Sequence, residues 1–195
     1  MIVKADVSAL ILAGGRATRL GGVAKHAILI DGETILARLV RVLEPRVAEL
    51  LVGVGSAGAI EGIGGQRPPL RPVRDAVADV GPLAGVAAGL ASATTPWMIV
   101  VAGDMPFLSG SVIDALTRTA DPEIDAVGIM RGGRPEPLVC ALRVSVARPA
   151  VERMLAGGRF KASHLLTAEG LAVRWIEDLD PGALRNINSP DDLPG

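Results

Sequence analysis

The sequence predicts an α/β domain with a mostly parallel sheet. Apolar runs of strand length alternate with segments of helical period along most of the 195 residues. Two of those runs, residues 8–12 and 97–102, are unbroken rather than alternating, as strands covered by helices on both faces are. Segments rich in glycine or bearing aspartate come after three of the strands, beginning at Gly14-Gly15, Asp75 and Asp104. Open α/β sheets bind ligands beyond the C-terminal ends of their strands, so these segments share one address.

In chain order, residues 8–12 form a first strand that ends at Gly14-Gly15, and 27–30 form a short extended piece before the turn Asp31-Gly32. Thr34 caps a helix over 35–43, whose Ile35, Leu39, Val42 and Leu43 share one face and beyond which lies Pro45. A buried strand is expected over 49–54, a Gly- and Pro-rich loop over 55–70 and a short strand over 70–74, ending at Asp75. Gly81-Pro82 opens an Ala-rich helix to residue 93, with proline in its first turn.

The second half repeats the alternation. Strand 97–102 ends at Gly103-Asp104-Met105-Pro106, and a helix over 109–119 comes after it, capped by Ser109 or Ser111. Strand 126–130, a polar turn over 131–137 and strand 138–142 come next. Helix 145–155 is expected to be interrupted or delayed by Pro149, residues 161–166 to be helical, and 171–176 to form a late strand. No repeat or linker divides the chain, so residues 1–195 read as one domain.

Composition narrows the function. Aromatic residues are 2% of the chain against 49% hydrophobic, so the core must be built from Ala, Val, Leu and Ile. A net charge of −1 gives no basic field for nucleic acid. No apolar run reaches the roughly 18 residues of a membrane span. The N-terminal residues lack a signal-peptide layout, and the single Cys140 excludes an internal disulfide framework, so the cytoplasm is expected. His26 and His164 have no partners at zinc spacing, and no Gly-x-Ser-x-Gly elbow is present. Cys140 lies within an apolar strand and reads as packing.

The stretch from Leu12 to Lys25 carries the most chemistry. Backbone N–H groups around Ala13, Gly14 and Gly15 can cradle an anion, and Arg16, Arg19 and Lys25 supply counter-charge. The competing reading is an ordinary basic loop. It is not a P-loop, because Lys25 stands ten residues beyond Gly15 and is followed by His26. Only Lys4, Lys25 and Lys161 among 20 basic residues are lysine, so a Lys in this loop points to a need for a compact ammonium. Asp104, after the most apolar strand, suits a hard cation such as Mg²⁺ held with phosphate oxygens, or else a turn or cap. For Asp75, after a weaker strand, a turn is the simpler reading. Gly53-x-Gly55-x-x-Gly58 matches a dinucleotide fingerprint in letters, but residues 59–65 would make a poor helix.

Leu12-Ala-Gly-Gly-Arg-Ala-Thr-Arg-Leu-Gly21 with Lys25 resembles the signature of the MobA-like nucleotidyltransferases. Four further stretches agree in order: Asp75 ahead of Gly81-Pro-Leu-Ala-Gly85, Gly103-Asp-Met-Pro-Phe107, Arg134-Pro-Glu-Pro-Leu138, and Asn186-Ile-Asn-Ser-Pro-Asp-Asp-Leu193. The double glycine and the Asn-x-Asn tail are most similar to the molybdenum cofactor guanylyltransferase branch. Three positions depart from the pattern: Gly53 where some members have a nucleotide-binding Asn, Glu136 for Gln, and Gly103 for Cys.

The resemblance implies a single-domain, three-layer Rossmann-like nucleotidyltransferase fold and transfer of GMP from GTP to molybdopterin or molybdenum-molybdopterin, with pyrophosphate released. It implies Mg²⁺ on Asp104, and triphosphate on Leu12, Ala13, Gly14, Gly15, Arg19 and Lys25. Asp75 would hold the nucleoside end, and Arg159, Lys161, Asn186 and Asn188 the pterin side. Lys25, Arg19 and Asp104 would be the catalytic set, and proteins of molybdenum cofactor biosynthesis or delivery the partners. The rival expectations are a cytidylyl- or sugar-phosphate nucleotidyltransferase and a non-catalytic chaperone for nucleotide or cofactor.

Overall fold

The computed structural model describes residues 2–14, 19, 20, 23–54, 69–74, 81–167, 170–188 and 192, with 19, 20, 23 and 24 by backbone only. The elements in chain order are β1 (Val7–Leu12), β2 (Arg19–Leu20), β3 (Val23–Ala24), β4 (Leu29–Ile30), β5 (Glu33–Thr34), α1 (Ile35–Leu43), β6 (Glu49–Gly53), β7 (Leu70–Val73), α2 (Pro82–Ser92), β8 (Trp97–Ala102), α3 (Gly110–Thr119), β9 (Ala126–Arg131), β10 (Arg134–Arg143), α4 (Val144–Ala156) and β11 (Val173–Ile176). Short 3-10 turns punctuate them at Lys4–Asp6, Lys25–Ala27, Ala162–His164 and Pro181–Leu184.

Seven strands form one sheet in the order β11-β9-β10-β8-β1-β6-β7, in which only β10 runs against its neighbours. The two unbroken apolar runs are neighbours in the sheet: β1 lies parallel to β8, with Leu10 opposite Val100, and parallel to β6 on its other side. Side chains alternate along β1. Ala9 and Ile11 enter a core with α1 and α3, while Leu10 enters a second core with α2 and α4. Among the described residues each face of the sheet is thus covered by two helices, which is why the central strands β1 and β8 carry no polar alternation.

Local signals explain most boundaries. The Thr34 side chain accepts a hydrogen bond from Ala37 N–H and starts α1. Gly81, at φ 101°, precedes Pro82 at the start of α2. Pro72 is tolerated in β7 because that strand is the sheet's edge.

Five expectations need correction. The polar turn is only Gly132-Gly133, both with positive φ, and β10 begins at Arg134, because such a two-residue turn folds β9 straight back onto β10. Helix α4 runs unbroken through Pro149; its tertiary packing through Ala147, Ala150, Val151 and Met154 outweighs proline's local cost of ~3 kcal/mol. Residues 25–27 form a 3-10 turn, so the extended piece shortens to β4, paired with β5 in a small hairpin. Residues 161–166 form only the 3-10 turn Ala162–His164. Ser109 occupies the N-cap of α3 without a side-chain capping bond, its hydroxyl bonding Ser111 instead.

Candidate active site at the C-terminal sheet edge

The C-terminal ends of β6, β1 and β8 are level, with Leu12 paired to both Gly53 and Ala102. Two backbone bonds carry the alignment past the strands: Ala13 N–H donates to the Gly53 carbonyl at 3.0 Å, and Gly103 N–H donates to the Leu12 carbonyl at 3.0 Å. A Cβ on residue 103 would lie 2.6 Å from the Leu12 carbonyl oxygen and 3.1 Å from Ala13 Cα. Glycine therefore lets the chain that delivers Asp104 lie directly against the chain that delivers Ala13 and Gly14.

Lys25 reaches the same point from the other direction. Its backbone is held by the 3-10 turn, where Ile28 N–H donates to the Lys25 carbonyl at 3.1 Å, and the Ile28 carbonyl in turn accepts from Ile35 N–H at the start of α1. The Lys25 side chain is 8% exposed, and its Nζ donates to Asp104 Oδ2 at 3.1 Å and to Asn188 Oδ1 at 2.8 Å. Asn188 arrives because Ile187 N–H donates to the Asp104 carbonyl at 2.9 Å. Three segments far apart in sequence thus converge on one ammonium. A buried cation requires such partners, since an unpaired charge out of water is costly.

Of the expected site residues, the structure brings together Leu12, Ala13, Gly14, Lys25, Asp104 and Asn188, with Asn186 two residues from the last. Arg19 is placed by its backbone on β2, paired with Ala24 of β3, the residue before Lys25. Gly15 and Asp75 lie outside the described residues. Arg159 and Lys161 are exposed and flank Phe160, whose carbonyl lies against Gly81 at the start of α2. They come after α4, on the sheet face opposite Ile187, and none of their described contacts joins them to Asn186 or Asn188. The Gly53 fingerprint continues into residues 55–58, also outside the described residues.

Two residues acquire a place that sequence reasoning left unassigned. Three residues beyond the paired Val139 and Val101, the β10–β8 register brings Glu136 toward Asp104. Burial raises the Glu136 carboxyl above its ordinary value, the Arg131 guanidinium opposes that rise, and the Asp104 carboxylate adds to it. Burial lowers the His26 imidazole below its ordinary value, against an opposing hydrogen bond with the Ala13 backbone, and its buried Nδ1 has no partner among the described residues. The departure from Gln at 136 was visible in the sequence; its facing Asp104 needed the strand register. Cys140 is fully buried and its thiol is pushed far up by burial, as befits a packing residue.

Among the described residues, no three of His, Cys, Asp and Glu gather at metal-binding distance, and no helix is long and apolar enough to cross a membrane. The Ala13 N–H expected to cradle an anion is instead bonded to the Gly53 carbonyl, and the donor set described is the one partly exposed Asp104 carboxylate beside the Lys25 ammonium. That suits a hard cation which takes one or two protein carboxylates and draws its other ligands from phosphate and water.

A family model described as MobA-like NTP transferase domain matches residues 9–182. The chain belongs to the MobA-like NTP transferases. Among similar proteins, the molybdenum cofactor guanylyltransferase of Pseudomonas putida is 36% identical over 189 residues, 95% of either chain. That of Cupriavidus pinatubonensis is 32% identical, over 99% of this chain and 97% of its own. Among solved structures, molybdopterin-guanine dinucleotide biosynthesis protein A of Archaeoglobus fulgidus superposes with a TM-score of 0.74 at 24% identity, over 95% of this chain and 94% of that one, and shares the fold. As a MobA-like NTP transferase the chain is a nucleotidyltransferase, and the converging edge of β1, β6 and β8 is its candidate active site.

Proposed function

We propose that this chain, acting over residues 1–195 as one domain, transfers GMP from GTP to molybdenum-carrying molybdopterin. The products are the guanine dinucleotide form of the molybdenum cofactor and pyrophosphate. The observation that carries this reading is the Lys25–Asp104 pair at the C-terminal sheet edge, in a chain similar along nearly its whole length to proteins named molybdenum cofactor guanylyltransferase.

In this reading the terminal phosphate of the pterin attacks the α-phosphorus of GTP in line. The new P–O bond forms as the bond from the α-phosphorus to the bridging oxygen of the leaving pyrophosphate breaks. The attacking phosphate is already ionised near neutral pH, so no general base is needed. Two anions must meet, and catalysis rests on positioning and on fixed positive charge. Backbone N–H groups of the loop after β1 hold phosphate oxygens, and Lys25 neutralises the charge that moves to the leaving group. Asp104 would hold Mg²⁺, which when bound supplies further neutralisation of the triphosphate. Arg19 adds counter-charge, and Asp75 holds the nucleoside. Arg159 and Lys161, exposed on the other face of the sheet, would bind the acceptor only if it extends across the sheet edge from the nucleotide. A cytoplasmic setting agrees with this substrate pair, and cofactor delivery proteins are the partners to look for.

The test is pyrophosphate release from GTP, CTP and UTP, each with and without molybdopterin. Release that requires molybdopterin and prefers GTP is expected. A preference for CTP would move the chain to a cytidylyltransferase, and no release from any nucleotide would leave only a binding role.

A further inference from the structure

We propose that Asn188 is a positioning residue for Lys25, so that the closing segment of the chain serves the nucleotide phosphates rather than the acceptor. This rests on the reading that the β1–β6–β8 edge binds a nucleoside triphosphate.

Asn188 is exposed, yet it is fixed at three points. The preceding residue, Ile187, donates its N–H to the Asp104 carbonyl at 2.9 Å. Its own N–H donates to Asp192 Oδ2 at 2.8 Å. Its side-chain Oδ1 accepts from Lys25 Nζ at 2.8 Å. The backbone of Asp104 therefore anchors the amide that, together with the Asp104 carboxylate, directs the Lys25 ammonium. Two of that ammonium's three protons are assigned by this pair of acceptors.

The chemical difference between the two acceptors gives Asn188 its role. A carboxylate both orients an ammonium and cancels its charge. An amide oxygen orients it and leaves the charge in place. With Asp104 alone, the ammonium would settle onto the carboxylate. A second, neutral acceptor, carried by the segment bonded to the Asp104 backbone, shares the ammonium with the carboxylate and leaves more of its charge available to an incoming phosphate. Nothing in this arrangement requires the acceptor substrate.

Direct binding of GTP with Mg²⁺, in the absence of acceptor, is the test, measured by calorimetry on the full chain. Losing a hydrogen bond to a charged group should weaken nucleotide binding in Asn188→Ala by about tenfold. Asn188→Asp keeps an acceptor but adds negative charge, and should weaken it further. In a Lys25→Met background, Asn188→Ala should have no further effect on binding, because the group it positions is gone. The KM for the acceptor should stay unchanged in Asn188→Ala. If that variant does not fold, Asn188→Ser, with a shorter acceptor, carries the same comparison. Unaltered nucleotide binding with a raised acceptor KM would overturn the proposal, as would additive effects of the two substitutions. A wild type that binds neither GTP, CTP nor UTP would overturn the nucleotide reading itself, and this proposal with it.

Discussion

Replacing Lys25 by Met keeps the buried stem and removes the charge, and its effects on rate and on stability can be separated. A unit charge 4 Å from a phosphate oxygen interacts with it by ~4 kcal/mol at an effective dielectric constant near 20. Only the share that grows in the transition state speeds the reaction, and loss of one preorganised donor costs about 10²–10³ in kcat. Lys25→Met should therefore lose turnover on that scale at saturating nucleotide. Stability should suffer much less. Stranding one member of a fully buried pair costs about 3–5 kcal/mol. Here Asp104 keeps 22% of its side-chain surface in water, and solvation of the stranded carboxylate reduces the cost to roughly 1–2 kcal/mol. For a chain of this size that lowers the melting midpoint by roughly 3–6 °C. Pyrophosphate release and thermal unfolding, measured on one preparation, give both numbers. Near-normal turnover at saturating GTP would refute the role given to Lys25. A loss of rate matched by loss of folded protein would refute the separation of the two effects.

Two further substitutions probe the same edge. The raised Glu136 carboxyl makes the folded state bind its proton more tightly than the unfolded chain, so its ionisation subtracts stability as pH rises from the ordinary value of 4.5 through the folded one. Glu136→Gln should thus gain stability over wild type across that rise and hold the gain at neutral pH, as denaturant midpoints at several pH values would show; a gain that shrinks with rising pH would contradict the reasoning. Gly103→Ala sets a Cβ 2.6 Å from the Leu12 carbonyl oxygen, and forcing β1 and β8 apart should cost about 1–3 kcal/mol by denaturant unfolding. The same shift moves Asp104 away from Lys25 and should reduce transfer by up to roughly 10²-fold, whereas an unchanged rate would mean that the close approach is incidental.

The layered sheet was legible because burial on both faces leaves a local mark: 97–102 is apolar at every position, and the core alternation along β1 needs only that both faces be covered. Thr34 and Gly81-Pro82 announced their helices by local chemistry. What the sequence hid was long-range. Nothing around residue 135 reveals that β10 is antiparallel, because its two prolines look like a turn until the Gly132-Gly133 hairpin aligns them with β9. Pro149 misled for the same reason, since the packing that retains α4 is contributed by distant residues. In the site, the loop after β1, Lys25 and Asp104 could each be named from type and position. That the Lys25 ammonium bonds both Asp104 and Asn188, the latter 163 residues away along the chain, depends on the Ile187 bond to the Asp104 carbonyl just beyond β8.

The proposed chemistry turns on Asp104 as the carboxylate at which charge is neutralised for transfer, and a Mg²⁺ titration of pyrophosphate release on wild type and Asp104→Asn tests that role. The variant keeps the shape of the side chain and removes its charge. A severely reduced rate and a Mg²⁺ midpoint shifted to higher concentration are expected, with GTP binding in chelator, followed by calorimetry, largely retained. A variant with the wild-type midpoint and rate would contradict the role, leaving Asp104 as the partner that holds Lys25 and moving the cation elsewhere.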